Sequence, residues 1–156
     1  MFGKKKLTKS IAVYISDKFQ HLIIAPHHEN DAGIIYEQKV CFVSDYPITS
    51  EELGNEIIRN LNIYSIKDVN LRDSKQSDWP AYKHGKSKSI TKFEKDYINI
   101  FIRSANDSNL VLTVEGSPFK DSELKVSSAI SFHADKDEIG NRIKAIYDAS
   151  LSGKIF

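Results

Sequence analysis

The feature that most constrains this chain is a helix-opening motif that occurs twice. Glu52-Leu53-Gly54-Asn55, followed by Ile57, returns as Glu138-Ile139-Gly140-Asn141, followed by Ile143, at an offset of 86 residues (138 − 52). Apolar, β-rich segments bounded by turn residues lie upstream of each copy. A self-match at fixed spacing, joined to the same order of elements, marks an internal duplication. The expectation is an α+β chain in which one ββββα unit is used twice. Two antiparallel four-stranded sheets would pack together with two helices about a pseudo-twofold axis.

The upstream halves align from Lys9-Ser10-Ile11 against Lys88-Ser89-Ile90, an offset of 79, and an insertion around Ser117 to Glu123 absorbs the difference of seven. Ile98, Ile100 and Ile102 alternate with Tyr97, Asn99, Phe101 and Arg103, and Leu110, Leu112 and Val114 alternate with Val111, Thr113 and Glu115. That is the period of a half-buried strand. The Ser, Asn and Asp residues between Ser104 and Asn109 suit the tight turn of a hairpin. In the first copy the strands are Ile11 to Ser16, His21 to Ala25, Ile34 to Gln38 and Val40 to Ser44. Thr49 with Glu52, and Asp135 with Glu138, have capping-box spacing. In each pair the first side chain accepts from an unpaired helix N–H, and the acid sits at the positive end of the dipole. Leu53, Ile57 and Leu61, like Ile139, Ile143 and Ile146, give each helix one apolar stripe to bury.

A chain of 156 residues, 40% hydrophobic and 28% charged, makes one ordinary core. It therefore reads as a single domain over 1–156, with repeat one at 9–61, a connection at 62–87 and repeat two at 88–150. The 22 basic and 21 acidic residues leave a formal net charge of +1, which supplies no overall field for a polyanion. The single cysteine, Cys41, excludes an intrachain disulfide and reads as a buried thiol in a reducing compartment. No window approaches the roughly 18 apolar residues of a membrane span, and no apolar signal core follows the N-terminal lysines. The expected location is the cytoplasm.

Catalytic patterns are absent. His27-His28-Glu29 would stop a search for metal ligands, but neighbours on an extended segment point in opposite directions, and Asn30-Asp31-Ala32-Gly33 follows as a turn. The cluster reads as a polar loop tip. Gly85-Lys86-Ser87 looks like the tail of a phosphate-binding loop, yet Pro80 stands where its first glycine belongs. The paired acids at Glu51-Glu52 and Asp135 to Glu138 are explained by helix first turns. The sequence predicts no enzyme, no cofactor, no metal and no small-molecule ligand.

The duplicated motif brings in a resemblance. Pro47-Ile48-Thr49-Ser50-Glu51-Glu52-Leu53-Gly54 and Ala134-Asp135-Lys136-Asp137-Glu138-Ile139-Gly140 resemble the immunity proteins of bacterial contact-dependent growth inhibition systems. So does Trp79-Pro80-Ala81-Tyr82 with Phe93, similar to that family's Trp-x-x-(Phe/Tyr) segment entering the first strand of the second copy. The resemblance implies a non-catalytic protein that binds the C-terminal toxin domain of a matching effector. Such toxins are very often nucleases, especially ones acting on transfer RNA. An inhibitor that covers a basic cleft needs acidic and aromatic side chains at its contact surface. The candidates are Glu29 and Asp31 in one loop, and Asp68, Asp73, Asp78, Trp79 and Tyr82 in the connection. Packing in the core or between repeats is the structural alternative for Trp79, and a solvated linker for Asp68, Asp73 and Asp78.

The element order also resembles the Whirly fold of single-stranded nucleic-acid binding proteins, which has two antiparallel sheets packed across each other. Tyr82-Lys83-His84-Gly85-Lys86 is a little like that family's lysine-glycine-lysine motif. This second reading requires Lys83, Lys86, Lys88 and Lys92 on one face. Against it, lysines also protect exposed strand edges from pairing with other chains.

Overall fold

The computed structural model describes residues 9–66, 79–115 and 125–152. Their strands are β1 (Ser10–Ser16), β2 (His21–Glu29), β3 (Ile35–Glu37), β4 (Phe42–Asp45), β5 (Ser65–Ile66), β6 (Ile98–Ser104), β7 (Asn109–Glu115) and β8 (Lys125–Ser131). The helices are α1 (Ser50–Asn62), α2 (Pro80–His84), α3 (Ile90–Asp96) and α4 (Lys136–Ser152). None of the described helices is long and apolar enough to cross a membrane.

The strands form one sheet, where the sequence reading expected two packed against each other. Its antiparallel path runs β4-β2-β1-β6-β7-β8. The join is the pairing of β1 with β6, where Ile11 meets Ile102 and Val13 meets Ile100. Two strands that hydrogen-bond along their length cannot belong to sheets stacked roughly 10 Å apart, so the Whirly-like crossing of sheets does not occur. The far half of β2 carries β3 on one edge and β5, in parallel, on the other.

The strand alternation places Ile11, Val13, Ile15, Leu22, Ile24, Ile100, Ile102, Leu110 and Leu112 on one face, under α1 and α4. The helices meet that face with the stripes their sequences promised: Leu53, Ile57 and Leu61 from α1, and Ile139, Ile143 and Ile146 from α4. Burying each such side chain contributes about 1.5–3 kcal/mol. Thr49 caps α1 as its spacing predicts, its hydroxyl accepting from the Glu52 amide at 3.2 Å. Gly54 and Gly140 mark the crossing of the helices. A Cβ on Gly54 would lie 1.7 Å from the Lys136 carbonyl oxygen, and one on Gly140 would lie 1.9 Å from that of Ser50. Both contacts obey the 86-residue offset, since Ser50 and Lys136 are the first residues of the two helices.

The opposite face of β1 and β2 is covered too, so all seven residues of β1 are buried. Here Ala12, Tyr14, Ile23 and Ala25 pack against Ala81, Phe93 and Tyr97. The cover is α2 and α3, which the sequence reading did not anticipate. Lys88-Ser89-Ile90 opens α3, with Ser89 capping the Lys92 amide, so its alignment with Lys9-Ser10-Ile11 of β1 is overturned. Trp79 to Tyr82 likewise enters a helix and not a strand. The inward isoleucines of β6 match those of β1 instead: Ile98 follows Ile11 by 87 residues (98 − 11), one residue from the helix offset.

Candidate partner-binding surface

The two edges of the sheet differ in chemistry. Ile34, Ile35, Val40 and Val43 are 51%, 41%, 81% and 40% exposed, and they are four of the six exposed large hydrophobics among the described residues. Ile34 stands just before β3, and the other three fall in β3, β4 and their connection. At the other edge, β8 turns Ser127, Ala129 and Ser131 outward. The Arg142 guanidinium of α4 donates to Ser128 Oγ at 2.8 Å and to the Ala129 carbonyl at 2.7 Å. A bare apolar edge invites association, whereas a small, polar, cation-covered one resists it.

The apolar edge is held rigidly from behind. Gln38 donates its backbone N–H to the Pro26 carbonyl at 2.8 Å, and its side-chain amide to the carbonyls of His27 and Ile63 at 3.0 and 2.9 Å. The Glu37 carboxylate turns inward and accepts from the Tyr14 hydroxyl, the Trp79 indole and, at 2.9 Å, the Ala81 amide. Burial pushes Glu37 above the usual carboxylate range despite these donors. Burial, with the Glu37 charge nearby, pushes the Cys41 thiol up to about 12. That keeps it protonated and unreactive at neutral pH.

The sequence-predicted contact residues divide accordingly. Glu29 ends β2 and accepts from the Tyr64 hydroxyl at 2.9 Å, which fastens the chain after α1 to the β2–β3 hairpin. Asp31 is exposed in the adjoining turn, where Asn30 Oδ1 accepts from the amides of Ala32 and Ile34. Trp79 and Tyr82 are half-buried and meet the Phe93 ring edge-on at 4.9 and 5.8 Å. Asp68, Asp73 and Asp78 lie outside the described residues. Sequence reasoning missed Ile34, Ile35, Val40 and Val43. The available signal was Val40 standing beside Lys39 in a segment too short to bury both faces.

His27 and His28 are not a loop tip: both are buried in β2, at 5% and 6% exposure. Three histidines of this strand share a hydrogen bond with a hydroxyl, His21 with Tyr97 at 2.8 Å, His27 with Ser10 at 2.8 Å and His28 with Ser65 at 2.7 Å. Burial first, and the neighbouring His28 second, lower His27 to about 4. Burial first and Lys86 second lower His21 in the same direction. The unfolded chain binds a proton at His27 near the ordinary value of 6.5, and the folded one only near 4. The stability held in the neutral ring is complete above about 6.5 and is lost as pH falls towards 4, by roughly 3 kcal/mol. Denaturant titrations at pH 7 and 4.5 should show this loss, and His27→Asn should reduce the difference. An unchanged pH dependence in that variant would place the acid sensitivity elsewhere.

Among the described residues no three His, Cys, Asp or Glu side chains gather in a way that could hold a metal ion. No family model and no curated protein sequence matches the chain. Solved structures do match its fold. A Neisseria meningitidis protein of unknown function superposes with a TM-score of 0.72 at 14% identity, over 95% of this chain and 98% of that one. A chain of the CdiA-CT/CdiI toxin and immunity complex from Yersinia pseudotuberculosis superposes with a TM-score of 0.63 at 11% identity, over 94% and 97%.

Proposed function

We propose that this chain is an immunity protein, a non-catalytic inhibitor that binds and neutralises the toxin domain of a contact-dependent inhibition effector. The observation that carries the reading is end-to-end similarity of fold to a chain from a toxin and immunity complex. The repeated helix motif supports it, and so does the reading of the scaffold as two copies of one unit, with its reciprocal glycine contacts. The toxin class that the resemblance implies is a nuclease, with transfer RNA as its substrate, met in the cytoplasm.

The β3–β4 edge is the contact surface in this reading. Ile35, Val40 and Val43 supply the apolar centre that a protein interface needs, and Asp31 and Asp45 are exposed at its two ends. Acidic ends would steer the approach of a basic nuclease cleft. Glu29, bonded to Tyr64, and Trp79, bonded to Glu37 of β3, support this surface from beneath. The experiment is co-purification with the toxin domain encoded beside the gene, followed by titration of the pair. A tight one-to-one complex that abolishes toxicity is expected. The double variant Ile35→Lys, Val40→Glu should weaken it by 100-fold or more, which is about 3 kcal/mol. Lys125→Glu on the opposite edge should leave it unchanged. Equal effects at both edges would remove β3–β4 as the interface, and absence of any complex would remove the immunity reading itself.

A further inference from the structure

The fold separates charges that the whole-chain balance hides. From 79 to 97, the stretch that forms α2 and α3, the chain carries Lys83, Lys86, Lys88, Lys92 and Lys95 against Glu94 and Asp96. All five lysines are exposed. Asp96 is already engaged by Lys18 at 3.5 Å and by the Ser87 hydroxyl at 2.7 Å, so it does little to offset them. On the other side of the sheet, α1 carries Glu51, Glu52 and Glu56 against Arg59, which pairs with Glu56. One face is basic and the other mildly acidic, although the net charge is only +1.

Edge protection does not explain these lysines, because they stand on α2, α3 and the connection between them, which cover the face of the sheet, and not on edge strands. The platform beneath them is fixed by the Trp79–Phe93–Tyr14 rings and by the bonds to Glu37. Its chemistry also differs from that of the β3–β4 edge. None of the exposed large hydrophobics among the described residues falls between 79 and 97. Protein interfaces are built around apolar anchors and are poor in lysine. Surfaces that follow a phosphate backbone are rich in lysine and need no apolar centre. Half-buried Tyr82 adds a ring on which a base can stack.

We infer that the α2–α3 layer is a second binding surface, separate from the proposed inhibitor edge, which holds single-stranded nucleic acid through its phosphates. The test is fluorescence anisotropy of the purified full-length protein with a labelled 12-nucleotide single-stranded RNA, between 50 and 200 mM salt. Binding should weaken with salt at a log–log slope of roughly −2, as about three phosphate contacts give on a single strand. The variant Lys88→Glu, Lys92→Glu, Lys95→Glu should bind at least 10-fold more weakly with a shallower slope, while Arg59→Gln on α1 should behave as the parent does. Circular dichroism checks that both variants are folded. RNA binding that ignores the three substitutions would overturn the inference, and so would absence of salt-dependent RNA binding. Tighter binding of a labelled poly-glutamate peptide than of RNA would also overturn it, by making the surface a site for acidic protein. Toxin binding by the lysine variant is a separate readout, so failure here leaves the inhibitor reading standing.

Discussion

Gly54→Ala should destabilise the protein by roughly 3 kcal/mol or more, at the upper end of what one extra carbon costs in a packed interior. The new Cβ would lie 1.7 Å from a carbonyl oxygen and 2.5 Å from the carbonyl carbon of Lys136, and both are backbone atoms that cannot swing aside as a side-chain tip would. The helices must separate, and separation lifts Leu53, Ile57 and Ile143 from the sheet. For a domain of this size that is a fall in melting temperature of about 6–12 °C. Gly140→Ala meets the backbone of Ser50 in the same way and should cost about as much. Because both glycines serve one crossing, the double variant should lose less than the sum of the two. Thermal unfolding followed by circular dichroism measures all three. A change below about 1 kcal/mol in either single variant would mean that the helices do not approach as closely as described.

The same glycines show what was legible in the sequence. The repeat, its offset, the capping residue Thr49 and both apolar stripes could be read from local spacing, because helix periodicity and capping are properties of a few consecutive residues. Strands β6 and β7 were legible for the same reason, since one of their faces is buried and the other is not. What could not be read was pairing across distance. Whether β1 meets β6 within one sheet, or faces a second sheet, leaves the alternation of Ile11, Val13 and Ile15 unchanged. The histidines failed for a related reason: His27 and His28 look polar in sequence, but Ser10 and Ser65 satisfy them from strands far away in the chain. Of the residues singled out for contact, Glu29 is bonded to Tyr64, and Trp79 and Tyr82 pack on the Phe93 ring. The exposed edge residues were missed because an apolar side chain left in solvent has the same sequence signature as one in the core.

Phe93→Ala should cost about 3–5 kcal/mol, the range for removing a fully buried aromatic ring. Phe93 is the centre of the second core. Its ring lies 4.6 Å from that of Tyr97, 4.9 Å from Trp79, 5.3 Å from Tyr14 and 5.8 Å from Tyr82. It also lies against Gly85, where a Cβ would stand only 2.8 Å from the ring. Alanine there leaves a cavity among neighbours that include the small side chains of Ala12, Ala25 and Ala81, which cannot fill it. The loss should be confined to one side. The cluster under α1 and α4 shares no residue with this one, so far-UV circular dichroism should keep most of its signal under native conditions. Trp79 is the single tryptophan and sits within the damaged cluster, so its emission should shift to the red at denaturant concentrations that leave the helical signal intact. Since Glu37 of β3 is bonded to Trp79 and Ala81, loosening α2 should also release the edge strand, and with it the proposed contact surface. Coincident loss of tryptophan and helical signals would mean that the two cores unfold as one unit. Unchanged stability would mean that α2 and α3 only rest on the sheet.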